Sequence, residues 1–376
     1  MIKKECTFLF LFFIGGLIAV SCQNRASQTD TDTLFLRNNH LQLILDLRGG
    51  AITSLNVTGS TLNPFNWSLP VEKQPEINKN GYPFQGHFIS LGTWGMPTEG
   101  EQKEGLRLYG EANLKKWEIQ DSITALSAKV GFKGTIEKLD VERTLHLYKN
   151  APVVRVTESV TNRHPIGRMY NFLQHATFGG QFSTKDLQID TNAGRGFYQK
   201  AAYPRTSYDS LETNSFIWPK GVLPDGPIDL RSSGSREMTY LTSHVFDENI
   251  SMGWATALNP KEGLLIGYVW NIKEYPWLNV WHQYIDGVYY GRAIEFATCG
   301  LGLHFETLAK EDLRFFGKHS FEFIDAGEQI TKSYTLFALP VSKRVSEVQN
   351  VNISAGVITI YYLEKGKLQK TEIELD

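Results

Sequence analysis

Leu139-Asp140-Val141-Glu142-Arg143-Thr144-Leu145-His146-Leu147-Tyr148 alternates apolar and polar residues, and Val153-Val154-Arg155-Val156-Thr157-Glu158-Ser159-Val160 does so again after a short break. Successive side chains of a strand point to opposite faces, so a two-residue period gives one apolar and one polar face. The intervening Lys149-Asn150-Ala151-Pro152 has the composition of a turn. Similar runs recur at 41–47 (LQLILDL, ahead of Gly49-Gly50), 127–132, 263–270, 277–284, 292–296, 321–323 and 332–338. A terminal pair, 356–363 and 368–375, is joined around Lys365-Gly366. Helical periodicity of useful length is missing. Many short strands punctuated by Gly, Pro and Asn predict a mostly β chain, a large antiparallel β-sandwich. Residues 186–234, rich in Tyr, Pro and Ser, read as a long insertion or a loop lining a cleft.

The N-terminus has another character. Lys3 and Lys4 precede an apolar run over 8–20 and then Ser21-Cys22, the layout of a secretory signal. The run is shorter than the roughly 20 residues a membrane-spanning helix needs. Ala19-Val20-Ser21-Cys22 resembles a bacterial lipobox, with Ala19 where leucine is usual, which implies that Cys22 carries acyl chains after cleavage. An ordinary cleaved signal with a chance cysteine is the alternative. Residues 1–21 are thus expected to be a signal peptide, 22–33 a polar flexible tether, and 34–376 a single β-sandwich domain. The expected location is the bacterial cell envelope, on the periplasmic face or the outer membrane, with the membrane contacted through the anchor only.

With Cys6 in the signal and Cys22 acylated, Cys299 is the one thiol left, so no internal disulfide is expected. The 38 basic and 40 acidic residues leave a net charge of −2 without a basic run, which argues against a nucleic-acid partner. No His/Cys/Asp/Glu group has metal-ligand spacing and no glycine loop suits a phosphate, so no metal or cofactor is expected. The 22 Phe, 16 Tyr and 8 Trp suffice both for a wide core and for a sugar-binding cleft.

Several segments, in order, resemble the galactose mutarotase-like (aldose 1-epimerase) family. They are residues 38–55 (NNHLQLILDLRGGAITSL), Asn63-Pro64-Phe65-Asn66-Trp67, Leu108-Tyr109-Gly110-Glu111 with Trp117 downstream, and Glu158-Ser159-Val160-Thr161-Asn162. Gln174-His175-Ala176-Thr177-Phe178-Gly179, residues 275–281 (YPWLNVW) and Ala293-Ile294-Glu295-Phe296 complete the series. The resemblance spans nearly the whole chain after the signal and implies a mono- or oligosaccharide ligand. To interconvert sugar anomers, an acid protonates the ring oxygen while a base takes the proton of the anomeric hydroxyl. A histidine near its ordinary pKa of roughly 6.5 serves either role. Carried over by position, His175 is the acid and Glu295 the base. Tyr109, His87, Trp94, Gln174, Trp281 and Arg292 are the expected sugar contacts.

Two departures stand out: Tyr109 replaces a histidine, and the family's Asn-Arg pair has no equivalent in Gly86-His87-Phe88-Ile89-Ser90. Residues alone favour reading His175 as a core histidine on a strand end and Glu295 as a salt-bridged strand glutamate, for instance with Arg292. Trp277, Asn279, Trp281 and Gln283 share one strand face, which suits a sugar platform or a core stripe. Three functions therefore stay open: an aldose 1-epimerase-like enzyme, a non-catalytic sugar-binding lipoprotein, and a polysaccharide lyase or glycosidase. A glycosidase needs two carboxylates about 5 to 9.5 Å apart, for which Glu111, Glu158 and Glu295 are the candidates.

Overall fold

The alternating runs pair with each other. Strands Leu139–Leu147 and Val153–Asn162 run antiparallel, with Val156 opposite Leu145 and Glu158 opposite Arg143. In the computed structural model, which describes residues 32–199, 212–232, 236–311 and 313–375, they form the middle of an eight-stranded sheet. Its order is Gln188–Thr191, Met252–Asn259, Leu264–Asn271, Gln329–Pro340, Val153–Asn162, Leu139–Leu147, Ser127–Phe132 and Glu118–Ile119. The calls on residues 1–31, including the signal and Cys22, lie outside the described residues.

A larger sheet packs against it. Its strands follow the order Thr33–Arg37, Leu41–Asp46, Ala51–Val57, His87–Gly92, Arg168–Phe178, Val288–Ala297, Trp277–Ile285, Tyr240–Val245, Arg195–Tyr198 and Phe216–Ile217, with Glu322–Ile324 pairing onto one end of Arg168–Phe178. Its neighbours pair antiparallel throughout. The core lies between the sheets: Ile89, Phe172, Ile294 and Phe296 of the large one meet Val141, Val156, Tyr268 and Leu336 of the other. Each such side chain contributes roughly 1.5–3 kcal/mol by leaving water. On the far side of the eight-stranded sheet, Val345–Ser354, Val357–Glu364 and Lys367–Glu374 form a meander, whose Val348, Ile358 and Ile360 pack on Trp254, Leu265 and Phe337.

The sandwich interior also holds a polar cluster. Arg143 is fully buried between Val141 and Leu145; its Nε donates to Glu158 Oε1 at 2.6 Å and Nη1 to the Gly50 carbonyl at 2.6 Å. Gln174 Nε2 donates to Glu158 Oε2 at 2.5 Å, and Gln174 Oε1 lies 3.2 Å from His87 Nε2. Every charge is thus compensated, the condition for ions to survive in an apolar interior. Gly50 shows why the Gly49-Gly50 pair is needed. At φ +66° a Cβ there would come within 2.2 Å of the Trp117 ring, and the same indole lies 5.1 Å from the Arg143 guanidinium.

The described residues within 186–234 carry more strand than their composition suggests. The segment contributes Gln188–Thr191 to one sheet, Arg195–Tyr198 and Phe216–Ile217 to the other, and a hairpin of Lys220–Leu223 with Gly226–Asp229. These strands are two to four residues long, below the length at which periodicity registers. Among the described residues helix is confined to short pieces such as Glu99–Lys103 and Phe305–Lys310. Among the described residues no helix is long and apolar enough to cross a membrane.

Candidate functional site

The site stands on the face of the large sheet turned away from the core. Strand Arg168–Phe178 is buried on both sides: Gln174 and Ala176 point inward, His175 and Thr177 outward. The pairing register sets a row of side chains across five strands, with Phe88, His175, Glu295, Asn279 and Ser243 as successive cross-strand partners. His175 and Glu295, 120 residues apart in sequence, are therefore immediate neighbours.

Their contact is direct. His175 Nε2 lies 3.2 Å from Glu295 Oε1, with side chains only 3% and 2% exposed, and His175 Nδ1 lies 2.8 Å from Thr177 Oγ1. The imidazole stacks on Phe88, with centroids 4.3 Å apart and planes 18° from parallel. Tyr109 and Trp281 stand over it with ring centroids at 5.9 and 5.6 Å, and Trp67 meets the Trp281 ring edge-on at 5.8 Å. Trp281 is half-buried, so this aromatic wall reaches solvent.

Burial sets the protonation. Loss of solvation pushes His175 down to about 3 and Glu295 up to about 8, because a dry site disfavours both charged forms. At neutral pH the imidazole is uncharged and the carboxyl carries the proton, which corrects the expectation of an unperturbed histidine. Tyr109 is raised by its own burial and by the Glu295 charge.

Tyr109 reaches the site through an unusual backbone. Its φ of 65° is in the left-handed region, followed by Gly110 at φ 76°. A Cβ on Gly110 would lie 1.9 Å from the Leu91 carbonyl, so only glycine lets this segment lie against strand His87–Gly92. The Leu91 amide donates to the Tyr109 carbonyl at 3.4 Å, holding the phenol over His175.

Two buried polar atoms on this face have no protein partner: Trp67 Nε1–H, a donor on the ring that meets Phe88 and Trp281, and Asn279 Oδ1, an acceptor on the cross-strand neighbour of Glu295. Asn279 Nδ2 is occupied by the Cys299 carbonyl at 3.1 Å, and beyond it Gln199 Nε2 donates to Ser243 Oγ at 2.9 Å. Hydroxyls of a ligand, or water, would satisfy both.

The other expected contacts lie elsewhere. His87 and Gln174 belong to the inner polar cluster on the opposite face, His87 with Tyr268 OH 3.3 Å from its Nδ1. Arg292 also points inward. Its guanidinium donates to the carbonyls of Leu187, Leu230 and Arg231, at 3.3, 2.7 and 2.9 Å, so it ties Leu187 to Leu230 and Arg231 and does not pair with Glu295. Trp94 is buried in an apolar cluster with Leu173, Trp277 and Phe315 on the site face, outside the rings around His175. Glu111 accepts from the amides of Thr135, Ile136 and Glu137 at 2.7–2.9 Å and Glu158 is held by Arg143, so neither stands beside Glu295 as a second carboxylate. Phe88 and Thr177 stand inside the quoted motifs without a role assigned to them, although Phe88 follows His87 and Thr177 lies two residues after His175 on the same strand face. Among the described residues no group of three or more His, Cys, Asp or Glu side chains could hold a metal ion.

No protein-family model and no curated protein matches the chain. Solved structures do resemble it. A galactose mutarotase related enzyme from Lactobacillus acidophilus superposes with a TM-score of 0.57 at 14% identity, covering 82% of this chain and 98% of its own. Galactose mutarotase-like proteins from Lactobacillus casei and Clostridium acetobutylicum give TM-scores of 0.54 and 0.55 at 13% and 14% identity, each covering 82% of this chain and 100% and 95% of their own. The fold is accordingly the galactose mutarotase-like β-sandwich. At such identity the likeness carries the architecture and not the activity.

Proposed function

We propose that the chain acts on carbohydrate, as an aldose 1-epimerase-like enzyme that interconverts the anomers of a free sugar. The observation that carries this reading is the His175–Glu295 contact under an aromatic wall: two proton-transfer groups 3.2 Å apart, one neutral base and one neutral acid at working pH. Protonation alternates within the pair. Once the Glu295 proton passes to His175 Nε2, the imidazolium protonates the sugar ring oxygen while the carboxylate takes the anomeric hydroxyl proton, and C1–O5 cleaves as the C1 carbonyl forms. After the carbonyl turns, Glu295 returns its proton to the carbonyl oxygen and His175 recovers the other, closing the opposite anomer. Total charge never changes, which a dry site favours. Trp67 Nε1–H and Asn279 Oδ1 supply a donor and an acceptor for sugar hydroxyls, and Trp281 a flat apolar surface.

The test is the optical rotation of freshly dissolved α-anomers of several aldoses. General acid and base groups contribute roughly 10²- to 10⁴-fold each, so His175→Ala and Glu295→Gln should each remove most of the acceleration, while Tyr109→Phe mainly weakens binding. Mutant rates equal to wild type would dismiss the pair. The departure at Tyr109 favours the second reading, a sugar-binding protein without turnover; binding by calorimetry with no rate above buffer on any sugar would select it. The lipobox supports a further part of the proposal, an exported protein held to a bacterial envelope membrane through Cys22.

A further inference from the structure

Glu295 Oε1, the His175 ring and Thr177 Oγ1 form a continuous chain, with contacts of 3.2 Å at Nε2 and 2.8 Å at Nδ1. Thr177 is fully buried. It lies two residues along the same strand and therefore on the same face, and its own amide donates to the Gly86 carbonyl at 3.0 Å, so its position is held by the backbone. A neutral imidazole carries one proton, and the hydrogen bond at one nitrogen decides the state of the other. Glu295 is held protonated by burial, and its hydroxyl needs an acceptor; Nε2 is the atom it faces. With the ring proton on Nε2, Oε1 would have to be the carbonyl oxygen and the carboxyl hydroxyl would be turned onto Oε2, away from the nitrogen that can accept it. With it on Nδ1, the Thr177 oxygen accepts it and Nε2 presents its lone pair to the carboxyl.

We propose that Thr177 is a positioning residue that fixes His175 as the Nδ1–H tautomer, so that Nε2 and Oε1 share the one transferable proton on the substrate side. The catalytic consequence rests on the epimerase reading; the tautomer does not. During ring opening Nδ1–H keeps its hydrogen bond to Thr177 throughout, while the two protons that move, one through Nε2 to the ring oxygen and one from the anomeric hydroxyl to the carboxylate, both pass on the substrate side.

The experiment uses the folded domain with ¹⁵N-labelled histidine, the His175 signals being assigned by their loss in His175→Ala. Wild type and Thr177→Ser, which keeps the hydroxyl, should show a protonated Nδ1 and an unprotonated Nε2 at pH 7. Thr177→Val, which keeps the shape without the hydroxyl, should show the two nitrogens mixed or reversed; Thr177→Ala serves should Val fail to fold. Anomer interconversion should fall at least about 10-fold in kcat for Val with KM little changed, and stay within a few-fold for Ser, since a misplaced imidazole proton disables acid–base catalysis. A wild-type tautomer pattern in the hydroxyl-free variant overturns the assignment. Absence of any wild-type turnover would sink the epimerase reading and leave the tautomer result decisive for Thr177.

Discussion

Replacing Glu295 with glutamine separates the cost of burying this group from the chemistry it performs. The amide has the shape of the protonated carboxyl and can donate to His175 Nε2, but it cannot ionise. In the folded protein burial raises Glu295 from 4.5 to about 8, so the native state holds the proton more tightly than the unfolded chain. Its contribution is therefore fully favourable below pH 4.5, is lost as pH rises to about 8, and changes no further above that. Integrating between those limits, wild type should fall behind Glu295→Gln by about 3 kcal/mol at pH 7 and about 5 kcal/mol at pH 9, with a gap of about 1 kcal/mol at pH 5. His175 runs the other way. Lowered from 6.5 to about 3, it adds stability present above pH 6.5 and lost as pH falls toward 3, but it is common to both proteins and cancels in the difference. Tyr109, the remaining titratable group facing the pair, stays protonated over this range because burial raises it. Urea unfolding at pH 5, 7 and 9 measures the gap. Parallel curves, or a variant less stable at pH 9 than wild type, would show that Glu295 is ionised in the native state and would refute the proton accounting behind both the mechanism and the Thr177 assignment.

Two further outcomes are expected. Gly110→Ala, placing a Cβ 1.9 Å from the Leu91 carbonyl at a positive φ, should cost on the order of 1–3 kcal/mol and withdraw Tyr109 from His175. Thermal unfolding together with sugar affinity checks both, and an unchanged melting temperature contradicts the close approach. Cys22→Ala should release the protein from membranes after a wash that strips peripheral proteins; the same membrane fraction for both forms argues against acylation.

The strands at 139–160 and 277–296 were legible because each carries a period or a motif that survives without its neighbours. Arg143 and Glu158 fall in the inward phase of those periods, Arg143 with Val141 and Leu145 and Glu158 with Val156 and Val160, and both are buried; each is tolerated only because the other lies across the register, a pairing that no local pattern reveals. Site residues divide the same way. His175, Glu295, Tyr109 and Trp281 were reached through ordered resemblance and are gathered at one place. His87, Gln174 and Arg292 were placed on the wrong face. The large sheet is covered on both sides, so its central strands read as continuous buried runs, and alternation, the signal that tells inward from outward, is erased. A one-residue error in facing then exchanges a sugar contact for a core hydrogen bond.

By itself, then, the sequence determined the β-rich architecture and the presence of a histidine strand and a glutamate strand, because these are written in local period, composition and motif. Only the tertiary structure decided which face each buried side chain takes, that His175 and Glu295 are register partners 3.2 Å apart, and which of them holds the proton. Those properties arise from long-range strand pairing and from the exclusion of water, and neither exists until the sheets have closed on each other.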